Sequence, residues 1–320
     1  MTPLKQWRSV DEQLDLLKRR GLQVEDDVAA LNYLQRIGYY RLSGYWYPLR
    51  VIDEEVSRRE HRPVRLDEFV PGSRFEDVVK LYVFDKKLRM LAMDALERIE
   101  MAMRVDVAYL LGEKDPCAHE NPDCLHGRFT KQRISHGKDR GRTGHEVWLE
   151  KYQQLVERSR RLPFVSHHRQ TYDGRLPIWV AIEVWDFGLL SRFFAGMRFD
   201  DQQVIADKYG ARDGRTLAGW LRSMNFMRNV AAHHSRMWNI NVLEVAPVPS
   251  GWPGMSNARP FFYFCLMQKL LRAICPHSTW GQRLRKLLKE EFPGLPRSAA
   301  PMEDVGLCEG WEEWNLWART

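Results

Sequence analysis

Between Leu217 and Asn239 the chain reads LAGWLRSMNFMRNVAAHHSRMWN, which sets Arg228 and His233 five residues apart with Asn229 between them. A guanidinium grips phosphate oxygens through a fork of donors, and an imidazole exchanges a proton near neutral pH. The pair is a candidate site for RNA cleavage. Asn229 adds both a donor and an acceptor.

At about 100° per residue, Leu217, Trp220, Leu221, Met224, Met227 and Ala231 fall on one apolar stripe, with Asn225, Asn229, His233 and Arg236 on a polar stripe beside it. Arg228 falls inside the apolar stripe. A buried guanidinium is costly unless it is paired or faces a ligand or another subunit. Ala231 and Ala232 remove bulk and leave room for a second helix. The same residues could instead lock the helix to acidic neighbours or hold two subunits together as a scaffold. His234 points about 100° away from His233 and is secondary.

The elements that must position this segment read as helices. Val10 to Arg20 and Asp26 to Ile37 are amphipathic and stop at Gly21 and Gly38, and the tyrosine-rich Ile37 to Leu49 reads as core. Val51 to Pro71 reads as a loop or short hairpin. Ser73 and Glu76 have the spacing of a capping box before a long helix from Phe75 to Leu111. Further helices are expected at His145 to Arg161, Trp179 to Met197, Asp201 to Tyr209, Thr216 to Val242 and Pro260 to Ile274. No strands alternate with crossovers, so an all-α helical bundle is expected. Its parts would be an amino-terminal helical module (1–72), a bundle with a basic insertion at 113–175 (73–275) and a carboxy-terminal helical tail (276–320). Glu97 and Glu100 lie three apart on the long helix, as ordinary surface carboxylates or as partners for the arginine and histidine.

With 44% hydrophobic and 28% charged residues in 320, the chain has ample material for a core. No apolar run is long enough for a membrane span and the amino terminus lacks a signal-peptide core, so a cytoplasmic protein is expected. Five scattered cysteines argue against a disulfide framework. Cys117, His119, Cys124 and His126 place four soft ligands within ten residues, but in none of the common zinc spacings, so a polar loop without metal is expected there. The formal charge is +7, and twelve basic against five acidic residues between Arg128 and Arg175 carry an equal excess. Arg133, Lys138, Arg140 and Arg142, in a glycine-containing loop, are the expected RNA contacts together with Arg236.

The segment around Arg228 closely resembles the abortive-infection AbiD/AbiF family, whose members end in a HEPN domain with an R-N-x-x-x-H core. Here that core is Arg228, Asn229 and His233. The blocks at Arg20 to Arg50, Leu81 to Arg104 and Leu176 to Ser191, and the terminal GWEEWNLW, extend the resemblance nearly end to end. DPCAHENPDCLHGRF departs from it, since the family has a more apolar stretch there. The resemblance implies a HEPN-like bundle, a homodimer without cofactor, and metal-independent scission in which the ribose 2′-hydroxyl attacks the adjacent phosphorus. His233 would move protons, Arg228 would bind the phosphate and Asn229 would orient one of them. It also implies a regulated toxin, held in check in some members by a small structured RNA, or an RNA-binding protein that does not itself cleave.

Overall fold

The computed structural model describes residues 6–172, 174–252, 254–292, 294 and 300–318. The fold is an all-α bundle with one short antiparallel hairpin. Its axis is α5 (Phe75–Gly112), where Val78, Leu81, Leu88, Ala92, Leu96, Ile99, Met103, Val107 and Leu111 recur at three and four and are all buried. Such a long helix holds its shape because neighbours cover that stripe along its length.

Before it come α1 (Val10–Arg19), α2 (Asp27–Ile37) and α3 (Tyr39–Trp46). Ser9 and Glu12 form a reciprocal cap on α1, and Asp26 caps α2. Gly21 and Gly38 both take positive φ, which ends each helix where the sequence places its stop. Strand β1 (Arg50–Ile52) pairs with β2 (Arg65–Phe69), with α4 (Glu54–Glu60) in the connection. The expected capping box at Ser73 is absent. Arg74 is the N-cap of α5 without a side-chain bond, the Ser73 hydroxyl donates to the Val70 carbonyl, and Glu76 accepts from the Glu25 backbone N–H at 3.0 Å. The tertiary partner outcompetes the local one.

Short α6 (Gly127–Thr130), α7 (Gly144–Arg158) and α8 (Pro163–Thr171) lie in the basic stretch. The helix expected from Trp179 to Met197 is broken into α9 (Ile178–Ala181), a 3₁₀ turn and α10 (Phe187–Gly196). Asp186 interrupts it by capping α10, its Oδ1 accepting from the Leu189 N–H at 2.7 Å. Then follow α11 (Phe199–Lys208), α12 (Gly214–Ala232), α13 (Pro260–Ile274), α14 (Trp280–Lys286) and α15 (Met302–Val305). Helices α3, α12 and α13 all pack on α5, while α10 and α11 pack on α12. No helix among the described residues is long and apolar enough to cross a membrane.

Candidate functional site

The expected helix from Thr216 to Val242 stops ten residues early, at Ala232, and the R-N-x-x-x-H segment straddles its end. His233 is the C-cap. His234 takes the left-handed conformation at φ 55°, its N–H bonding the Ala231 carbonyl at 3.1 Å, and the Ser235 N–H reaches back to Val230 at 2.9 Å. This pair of bonds is a Schellman closure, in which the left-handed position is normally glycine. With histidine there, no sequence signal marks the stop.

Three groups hold the turn in place. Arg41 Nη1, from α3, donates to the His234 carbonyl at 2.5 Å, and Arg236 Nη1 donates to the Gly44 carbonyl of the same helix. Gly44 leaves room for this approach, since a Cβ there would lie 3.1 Å from Arg236 Nη1. The third is Asp85, fully buried on α5: its Oδ1 accepts from the N–H groups of Met237 and Trp238 at 3.0 and 2.7 Å. Its Oδ2 accepts from the Tyr45 hydroxyl at 2.6 Å and from Arg89 Nη1. Burial pushes the Asp85 carboxyl up, opposed by the Arg89 guanidinium, and burial beside Asp85 pushes the Tyr45 phenol up. Sequence periodicity gave no hint of this network, since Asp85 and Arg89 look like an ordinary i,i+4 surface pair.

Arg228 is half-buried rather than sealed in the core, and its Nη1 donates to Asn229 Oδ1 at 3.1 Å. Among the described residues it forms no ion pair, so its remaining donors are not committed to a carboxylate. The Asn229 carbonyl accepts from the His233 N–H at 3.0 Å. Asn229 thus touches both partners, one through its amide and the other through its backbone. His233, His234 and Arg236 are exposed. Glu100 does not serve this site: it pairs with Arg104 on its own helix, and Glu97 is exposed.

Beside the turn runs a groove of about 620 Å³ between α2, α3, α5 and the end of α12. Arg36, Arg41, Lys86, Arg89 and His234 supply its polar lining, with Tyr82, Met90 and Met93 among the apolar residues. No residue that lines it is acidic, and Arg36, Arg41 and Lys86 form no ion pair among the described residues. Ala231 also lines it, one helical turn beyond Arg228.

The basic loop lies elsewhere, in a turn closed by the Ile134 N–H to Arg142 carbonyl bond at 2.8 Å, with Gly137 and Gly141 at positive φ. Arg133 donates to the Gly141 carbonyl, and Arg142 pairs with Asp139 and Glu150. Of the four expected contacts only Arg142 is ion-paired among the described residues; Arg133, Lys138 and Arg140 are not. Asp173, counted in the charge of this segment, lies outside the described residues.

The Cys117 to His126 segment is not wholly a polar loop. His119 is fully buried, ringed by Trp148, Tyr152 and Trp185 with ring centroids 6.4, 5.1 and 6.1 Å away. Its carbonyl meets His145 Nε2 at 2.9 Å, while neither of its own ring nitrogens has a hydrogen-bond partner among the described residues. Burial, with His145 nearby, pushes its pKa down to about 4. His126 instead caps α6, its Nδ1 accepting from the Arg128 N–H at 3.0 Å. Among the described residues no group of three or more histidine, cysteine or carboxylate side chains converges as a metal site.

The model of one family, described as Abi-like protein, matches residues 32–239. The match runs from α2 through the whole turn after α12. No curated protein and no solved structure matches the chain.

Proposed function

This chain belongs to the Abi-like protein family, whose association with abortive infection supports a phage-defence role, and on that premise we propose that it is a metal-independent HEPN-type endoribonuclease toxin. The observation that carries the reading is the Arg228 and Asn229 pair beside an exposed histidine, at a helix end fixed by a buried network.

In the proposed step the ribose 2′-oxygen bonds to the adjacent phosphorus and the bond from phosphorus to the 5′-oxygen breaks. The products are a 2′,3′-cyclic phosphate and a 5′-hydroxyl. His233 takes the 2′-hydroxyl proton, and an acid returns one to the departing 5′-oxygen. Arg228 binds the phosphate and stabilises the charge that grows on its equatorial oxygens, with Asn229 holding the guanidinium in place. DNA, lacking the 2′-hydroxyl, survives.

One copy offers one His233, so the acid in this reading is the same histidine of a second copy. In this reading a small structured RNA would hold the toxin in check. Sequencing RNA ends that carry 2′,3′-cyclic phosphate, in hosts expressing wild type or His233→Ala, tests the proposal. New cyclic ends and growth arrest with wild type alone are expected; identical RNA and growth in both would sink it.

A further inference from the structure

We infer that the groove between α2, α3 and α5 is the path of a single-stranded RNA toward Arg228, and that the basic loop at Arg133 to Arg142 is not. The inference rests on the ribonuclease reading for the identity of the strand, but not for the existence of the groove.

Charge is the first argument. Arg36, Arg41 and Lys86 line one groove with no ion pair among the described residues, and no lining residue is acidic. Three cations brought together without counter-charge repel one another, a cost that a bound polyanion removes. The repulsion is not relieved from beneath either, because the buried carboxylate of Asp85 is already engaged by Arg89, Tyr45 and two backbone N–H groups.

The lining's mixed character is the second argument. Tyr82 is part-buried, while Met90 and Met93 are exposed on the same face of α5. Flat or polarizable faces alternating with cations suit unpaired bases on a phosphate backbone, whereas a duplex hides its base faces. An acidic peptide would satisfy the cations but leave those faces without a match.

Position is the third. His234 lines the groove through a left-handed backbone, a conformation that histidine adopts at a cost and that Arg41 fixes through its bond to the His234 carbonyl. Arg41 therefore lines the groove and positions the catalytic turn at once. A strand in the groove would meet the end of α12 beside Ala231, one turn from Arg228.

The test measures anisotropy of a labelled oligouridine on the full chain carrying His233→Ala, so that the probe survives. Adding Arg36→Glu with Lys86→Glu should weaken binding about ten-fold or more and lower the salt slope by about 1.4, the value for two lost single-strand phosphate contacts. Adding Lys138→Glu with Arg140→Glu instead should leave the affinity within about two-fold. Arg36→Gln with Lys86→Gln gives a smaller loss in the same direction and serves if the reversed pair does not fold. Unchanged binding in the groove variants overturns the inference, as does an equal loss in the loop variant, or a wild-type groove that takes polyglutamate and not oligouridine. Cyclic-phosphate ends report on the ribonuclease reading separately. Cleavage without groove-dependent binding removes this inference alone, and groove-dependent binding without cleavage removes only the other.

Discussion

The basic loop and the groove each present cations to solvent, yet they differ in what surrounds those cations. In the loop, Arg142 is neutralised by Asp139 and Glu150 and Arg133 closes its own turn, while Arg133, Lys138 and Arg140 keep their charge without an ion pair among the described residues. In the groove, Arg36, Arg41 and Lys86 stand without carboxylates beside an apolar floor. The difference lies in the setting of the unpaired cations, which in the groove share one lining with Tyr82, Met90 and Met93 next to the turn after α12.

The sharpest way to break the comparison is to remove the chemistry while keeping the groove. His233→Ala should lower cleavage about 10²-fold to 10⁴-fold, the usual range for a general acid or base, and leave oligouridine affinity nearly unchanged in anisotropy. A parallel fall in affinity would mean that the histidine binds rather than reacts. Next in size is the support beneath the turn. Asp85→Ala leaves Arg89 buried without its partner and should cost about 3–5 kcal/mol in denaturant unfolding. Arg142→Ala, which breaks only surface pairs, should cost less than about 1 kcal/mol. Similar losses in both would remove the distinction drawn between a positioning network and a solvated loop.

Acid should act on the stretch that holds His119 and His145. His119 has its pKa lowered to about 4 from 6.5 by burial, so the unfolded chain takes up the proton first. Its contribution is fully present above pH 6.5 and is lost as pH falls toward 4, about 3 kcal/mol in all, with His145 pushed the same way by burial. Thermal melts should show this fall, and His119→Leu should flatten it. The smallest effect is expected at the turn itself. His234→Gly removes a left-handed side chain and should change stability by no more than about 1 kcal/mol, in the stabilising direction, while oligouridine binding weakens. A large destabilisation there would mean that the ring, and not the backbone, holds the turn.

Much of the bundle is legible in the sequence where local signals and tertiary packing agree. The apolar period of α5, the glycine stops after α1 and α2, and Pro260 at the start of α13 each place an element close to where it lies. The all-α class follows from the same patterns, and the stretch from Val51 to Pro71, readable only as a loop or short hairpin, holds most of the hairpin. The readings that fail do so where a distant partner overrides a local one. Ser73 bonds backward to Val70 instead of capping α5. Asp186 splits a continuous apolar run by capping from within it. At the site, Arg228, Asn229 and His233 could be singled out by type and spacing, but their helix was expected to run on.

What the sequence by itself determined is which side chains are available: an arginine, an asparagine and a histidine at fixed spacing on an amphipathic segment, in a chain rich enough in apolar residues to bury a long central helix. Only the tertiary structure decided where that segment ends and what faces it. A left-handed histidine has no sequence signature, and it is tied down by a carboxylate about 150 residues away in the chain, by Arg41 and by the space Gly44 leaves. Arg36, Arg41 and Lys86 come from three separate helices, and their convergence without a counter-charge exists only once α2 and α3 have packed beside α5.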